Sequence, residues 1–232
     1  MVDRPIIFSA PMVRAILDGR KTQTRRIIKL PHNNPLGVWE ATTVGGHGCY
    51  TKDGKPYPER AAIWHTRTGT IIVPPFAVGD RFWVREACRA EELPTGIDGV
   101  RYAADDAWRV IENTPEASDD WVTLFHYRGR GRGRIGDTVP PIHMPRWASR
   151  ITLEVTAVKV QRLQEISEED AQSEGARPAF TRTSIPDYPV TSTPSYRWGF
   201  EELWASIHGP GSWEENSWVA AISFRRVSHD HA

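Results

Sequence analysis

The feature that most constrains this chain is its punctuation. With 18 glycines and 18 prolines among 232 residues, structured segments alternate with long Pro/Gly-rich stretches, and no internal repeat is present. The pattern reads as one domain carrying long insertions. The first element is a short helix. Ser9 stands where it can cap, Pro11 suits a first turn, Met12, Val13, Ile16 and Leu17 form one apolar stripe, and Gly19 ends it. Ile27 and Ile28 then lead away as an extended segment. Residues 31–62 carry turn signals and little periodicity, so they read as an inserted loop. A strand is expected at Thr70–Val73 and another in FWVRE, where Phe82 and Val84 alternate with Trp83 and Arg85. Asp119–Tyr127 reads as a strand, and RGRGRGR at 128–134, which cannot bury apolar surface, as a mobile loop.

From Arg150 onward the pattern sharpens. Ile151, Leu153 and Val155 alternate, then Val158 and Val160 continue on the other parity, which predicts a bulge or bend near Thr156–Val158. Ser167-Glu168-Glu169-Asp170 looks like a capped helix start, stopped by Gly175 and Pro178. Residues 181–195 read as a linker or flap. Phe200, Leu203, Trp204 and Ile207 keep a one-face spacing closed by Gly209, an amphipathic helix. The end reads as a strand alternating Trp218, Ala220, Ile222 and Phe224. Strands and short helices in mixed order give an α+β class, and the bent longest strand suggests a small barrel.

Composition narrows the function. Lys and Arg number 29 against 29 Asp and Glu, so bulk attraction to nucleic acid is excluded and any basic surface must be local. No run of eighteen apolar residues exists, so no membrane span is expected, and the N-terminus lacks a signal peptide's apolar stretch. Cys49 and Cys88 stand alone, which suggests neither a disulfide framework nor a cysteine zinc site, and a cytoplasmic protein is expected. His47 with Cys49, and His229 with His231, lack further ligands at a metal-site spacing. There is no P-loop and no dinucleotide fingerprint, so no metal or cofactor is expected.

The densest chemical constellation is Gly19-Arg20-Lys21-Thr22-Gln23-Thr24-Arg25-Arg26, with four cations in seven positions and no carboxylate. One reading makes it a solvated helix end, with cations at the negative pole of the helix dipole. The other makes it an anion- or nucleotide-binding turn. In a closed pocket Arg20, Arg25 and Arg26 would depress the Lys21 ammonium, and a neutral Lys21 could activate Thr22 or Thr24 as a nucleophile.

FSAPMVRAILDGRKTQTRR, then VGDRFWVRE, then a strand running into LQEISEEDAQSEG, and finally a helix followed by WVAAISF, resembles the ASCH domain of the PUA-like superfamily. The likeness covers residues 4–29, 77–87, 142–176 and 196–227 in family order. With HMPRWASRITLEV, the longer architecture resembles members often encoded in bacteriophages and prophages. The resemblance implies one PUA-like small mixed β-barrel domain over 1–232, with short flanking helices and insertions near 31–70, 88–140 and 177–195. It also implies handling of RNA or a modified nucleoside. One branch of the family removes the acetyl group from N4-acetylcytidine with a threonine, a lysine and a glutamate. Its G-R-K-T-x-T motif falls on Lys21 and Thr24, and its T-E-x-x-A-x-x-E helix matches Ser167–Glu174, with Glu174 as the glutamate. On that pattern Lys21 takes the Thr24 proton, Thr24 attacks the acetyl carbonyl, and Glu174 moves protons to the leaving amine. The same turn also occurs in ASCH domains that only bind, and others are linked with RNA cleavage. Glu174 is then simply a charge partner for Lys21 or Arg25.

The expected pocket lies where the basic turn, the FWVRE strand end and the Glu174 helix converge. Arg20, Arg25 and Arg26 would line it. So would Trp83, Arg85 and Glu86, with Trp83 stacking on a base; the alternative packs Trp83 in the core. His143, Arg146 and Trp147 in HMPRWASR suit RNA contacts or a strand entry equally. Arg128, Arg130, Arg132 and Arg134 either track a phosphate backbone or are simply solvated. Two functions are therefore carried forward: an amidohydrolase acting on an acylated nucleoside, and a non-catalytic RNA-binding or modified-base-reading module or ribonuclease.

Overall fold

The computed structural model describes residues 2–129, 134–180 and 194–227. In chain order the elements are β1 (Asp3–Ile7), α1 (Ala10–Leu17), β2 (Gln23–Ile27), β3 (Trp39–Val44), β4 (Arg60–His65), β5 (Ile71–Ile72), β6 (Arg81–Arg85) and β7 (Cys88–Glu92). They continue with β8 (Asp98–Tyr102), β9 (Trp108–Val110), α2 (Pro115–Phe125), β10 (Thr152–Arg162), α3 (Glu168–Ser173), α4 (Tyr196–His208) and β11 (Trp218–Val227). The class is mixed α+β, and among the described residues no sheet closes on itself. The chain folds into two compact units. Residues up to 19, 80–154 and those from 225 make the first; 20–79 and 155–224 make the second.

In the first unit β1 runs parallel to β6 (Pro5 opposite Trp83), and β6 runs antiparallel to the start of β10 (Trp83 opposite Thr152). Ile6, Phe82, Val84 and Leu153 are buried on one side. Trp83, on the other side, is buried too, so FWVRE is covered on both faces rather than half-buried as its alternation suggested. Strands β7, β8 and β9 form a separate antiparallel sheet. Ala117, Trp121 and Leu124 of α2 pack onto its Cys88, Ala90, Val100 and Tyr102. Residues 119–127, expected as a strand, thus lie largely in a helix. Thr114 accepts a hydrogen bond from the Ala117 amide, Pro115 opens the first turn, and the buried residues follow at four and three positions. Of the RGRGRGR tract, Arg128 and Arg134 are exposed; Arg130 and Arg132 lie outside the described residues.

In the second unit β2 pairs antiparallel with β11, Thr24 opposite Ile222 and Arg26 opposite Ala220. The stretch 31–62, expected as a loop, supplies β3 and much of β4, which pair antiparallel with Ala41 opposite Ile63. Its signal was weak because β3 buries only Trp39, which packs with Ile63 and Trp218. Helices α3 and α4 share a cluster with Leu163, Ile166 and Val219, to which they contribute Ala171, Phe200 and Trp204. Helix α4 lies so close to the chain at Arg177 that a Cβ on Gly199 would stand 1.7 Å from the Arg177 carbonyl oxygen; only glycine fits.

Other expectations hold with refinements. Helix α1 forms where its stripe placed it, but Ser9 makes no side-chain capping bond. Ser167 caps α3 by accepting from the Asp170 amide at 3.1 Å. Where a bulge or bend was expected near Thr156–Val158, β10 instead runs as one strand of eleven residues, with burial weakening from Thr156. Strand β11 buries both parities from Trp218 to Ile222, as a central strand does. Residues 181–193 and the histidines at 229 and 231 lie outside the described residues. No helix among the described residues is long and apolar enough to cross a membrane.

Candidate functional site

The basic turn of the sequence becomes the entry to β2, and Lys21 and Arg25 are drawn out of solvent while Arg20 stays exposed. The Thr22 amide donates to the Ser173 carbonyl and the Phe224 amide donates to the Thr22 carbonyl, both at 2.8 Å, so the turn is pinned between the end of α3 and β11. Strand alternation then puts Gln23 and Arg25 on one face. Asp170 on α3 and Glu174 at its C-terminal cap are four residues apart and share one helix face. Gly175, at φ +80°, turns the chain away directly afterwards.

These faces meet in a buried ionic network. Lys21 Nζ donates to Glu174 Oε2 at 2.7 Å, to the Glu174 carbonyl at 2.8 Å and to the Gln23 carbonyl at 2.8 Å. An ammonium has three protons, and all three have acceptors. Arg25 donates to Glu174 Oε1 at 3.1 Å, to Asp170 Oδ2 at 2.9 Å and to Gln23 Oε1 at 2.6 Å. Gln23 Nε2 in turn donates to Asp170 Oδ1 at 3.1 Å and to Ser223 Oγ at 3.2 Å. The Arg25 guanidinium also lies 5.6 Å from the Phe200 ring centre. Lys21 is 3% exposed and Glu174 4%. Burial pulls the Lys21 ammonium below its ordinary value; Glu174 opposes that, and Arg26 and Arg25 reinforce it. Arg26, half-buried, is lowered by the same desolvation against the pull of Glu174.

Thr24 is buried, between Gln23 and Arg25 in sequence and therefore on the opposite face of β2. Lys21 Nζ reaches the carbonyl of the peptide leading into Thr24. Among the described residues the Thr24 hydroxyl makes none of the network's hydrogen bonds. Arg20 is exposed at the start of the turn. So Lys21, Arg25 and Glu174 are brought together, with Arg26 within electrostatic reach.

The remaining candidates belong to the first unit. Trp83 is buried, with the guanidinium carbons of Arg85 and Arg146 at 4.6 and 5.5 Å from its ring centre. Arg85 donates to the Ile142 carbonyl and Arg146 pairs with Asp3 at 3.3 Å. Trp147 belongs to the cluster under α2. His143 is exposed, its ring 5.2 Å from that of Tyr127. Glu86 is buried and held by Arg150 through two parallel bonds, Nε to Oε1 at 2.8 Å and Nη2 to Oε2 at 2.9 Å. Arg150 grips Asp105 the same way, at 2.8 and 2.9 Å, and lies 3.9 Å over the Tyr102 ring.

Sequence reasoning missed Gln23 and Asp170 as members of the network. The signal was present: Gln23 shares the parity of Arg25, and Asp170 stands one helical turn before Glu174. Among the described residues no group of three or more His, Cys, Asp and Glu is placed to hold a metal ion. Comparison of the chain with protein-family models, curated proteins and solved structures yields no match.

Proposed function

We propose that this chain is an ASCH-type, PUA-like protein of phage character that acts in the cytoplasm as an amidohydrolase on an acylated nucleoside such as N4-acetylcytidine. The observation that carries this reading is the Lys21–Glu174 pair, sealed from solvent and joined across 153 residues by a 2.7 Å contact. That is the lysine and glutamate the resemblance singles out.

Burial draws Lys21 toward its neutral amine. In the neutral form, and with the Thr24 hydroxyl brought round from the opposite face of β2, Lys21 accepts its proton as Oγ attacks the acyl carbon. The C–N bond to the base breaks, and the proton passes from Lys21, by way of Glu174, to the leaving nitrogen. Cytidine departs and acyl-Thr24 remains, with Lys21 neutral again. Water then attacks the acyl-threonine, its proton passing through Lys21 to Thr24 Oγ. Acetic acid leaves, and neutral Lys21 is restored.

A second reading has its own observation. Lys21 and Arg25 are matched by Asp170 and Glu174, and every Lys21 proton has an acceptor, so the charges balance without a ligand, although the buried Arg25 Nε has no hydrogen-bond partner among the described residues. That favours a non-catalytic module whose Arg85 and Arg146 meet RNA, with Trp83 packed beneath them.

The two separate in one assay. Incubation with N4-acetylcytidine, followed by chromatography, is expected to release cytidine, and Thr24→Ala should lower the rate by about a thousandfold or more. Folded wild-type protein that releases none would overturn the amidohydrolase reading and leave the network as a structural clasp.

A further inference from the structure

Asp170 occupies a position that the resemblance leaves open, and its contacts give it a specific task. Its Oδ2 takes one arm of Arg25 at 2.9 Å, its Oδ1 takes Gln23 Nε2 at 3.1 Å, and Arg25 reaches Glu174 Oε1 with its other arm at 3.1 Å. Asp170 therefore fixes Arg25 against the glutamate without touching Lys21. Its side chain is 24% exposed, whereas the Arg25 side chain is fully buried.

We propose that Asp170 is a positioning residue for the Lys21–Glu174 pair, setting through Arg25 how firmly that pair holds its shared proton. This deepens the reading of the same site as a proton-transferring centre. The charged groups facing the pair are Arg25 and Arg26 from β2 and Asp170 from α3; β11 contributes the neutral Ser223 and α4 the Phe200 ring. Two arginines beside the pair disfavour a third positive charge, and Asp170 supplies the only negative charge among these groups that offsets them. Removing that charge leaves Arg25 less compensated. The ammonium of Lys21 then becomes harder to keep, and the pair releases its proton at lower pH.

The direct test is to follow the Lys21 side-chain nitrogen by NMR as pH is raised, in wild type, Asp170→Asn and Asp170→Glu. Asp170→Asn should move the Lys21 midpoint down by about one pH unit, as expected for loss of one nearby charge at a partly screened site. Asp170→Glu, which keeps the charge, should restore most of it. The pH profile of cytidine release, recorded in parallel, should shift in the same direction. A Lys21 midpoint equal in wild type and Asp170→Asn overturns the proposal, even if the rate falls, since a merely structural role would lower the rate without moving the midpoint. A shifted midpoint in a protein that releases no cytidine keeps the assignment of Asp170 and removes the amidohydrolase.

Discussion

The two units each bury an ionic cluster, and the clusters differ in what their protons can do. In the first unit Arg150 is clamped by two carboxylates, Glu86 and Asp105, and stacked on Tyr102. Burial opposes its charge, but the bonds from Glu86 and Asp105 prevail and hold it above the ordinary guanidinium range. A guanidinium so held does not give up a proton. In the second unit the central cation is a lysine, and burial pulls it the other way. Both clusters pair their cations with carboxylates internally, so charge pairing alone does not distinguish a clasp from a proton-transfer site. The identity of the buried cation and the sign of its neighbours do.

That contrast can be broken most sharply at Arg150. If the first cluster is a clasp, Arg150→Met leaves Glu86 buried without a partner and should cost about 3–5 kcal/mol in denaturant unfolding. A loss below about 1 kcal/mol would show that the fold does not depend on it.

A smaller effect, with a pH signature, is expected at Asp105. Its carboxyl is held below the ordinary value, chiefly by the hydrogen bond from Arg150, with burial opposing. A depressed carboxylate contributes stability that is fully present above the unfolded value of 3.8 and is lost as pH falls through the folded value. Asp105→Asn should therefore cost about 1 kcal/mol at pH 7, after allowance for solvent screening, and progressively less below pH ~4. A cost that stays constant down to pH ~2 would mean that packing, not charge, explains it.

The smallest effect belongs to the exposed pair of Arg146 and Asp3. Arg146→Ala should change stability by less than about 1 kcal/mol. If the RNA-reading alternative is right, the same variant should weaken binding of a single-stranded oligonucleotide, and added salt should shrink the difference. Equal binding by variant and wild type at low salt would count against that alternative.

Much of the second unit's site was legible in the chain. The stop after α1, the Ser167 cap and the spacing of Phe200 and Trp204 on α4 are local rules, readable because each depends on residues a turn apart. Helix α2 was misread for a related reason. Trp121, Val122, Thr123, Phe125 and Tyr127 are residue types that favour strands, and the Thr114-Pro115 start that identifies the helix lies upstream of that window. Strands β3 and β4 escaped notice because β3 shows a buried residue only at Trp39, so its alternation hardly registers. Asp170 was read as part of a helix start, although its side chain also holds Arg25.

What the sequence determined by itself was a mixed α+β chain, the ends of α1 and α4, the start of α3 and the crowding of Lys21 among arginines. Those follow from propensity, capping and charge over short separations. Only the tertiary structure decided which acid meets which base. Glu174 stands 153 residues from Lys21, and Arg150 stands 64 from Glu86 and 45 from Asp105. Side chains so far apart in the chain meet only through strand register and helix packing. The same folding removes the water that would have kept their charges ordinary. Neither the partner nor the desolvation is written in local spacing, and together they separate the lysine that can pass a proton from the arginine that cannot.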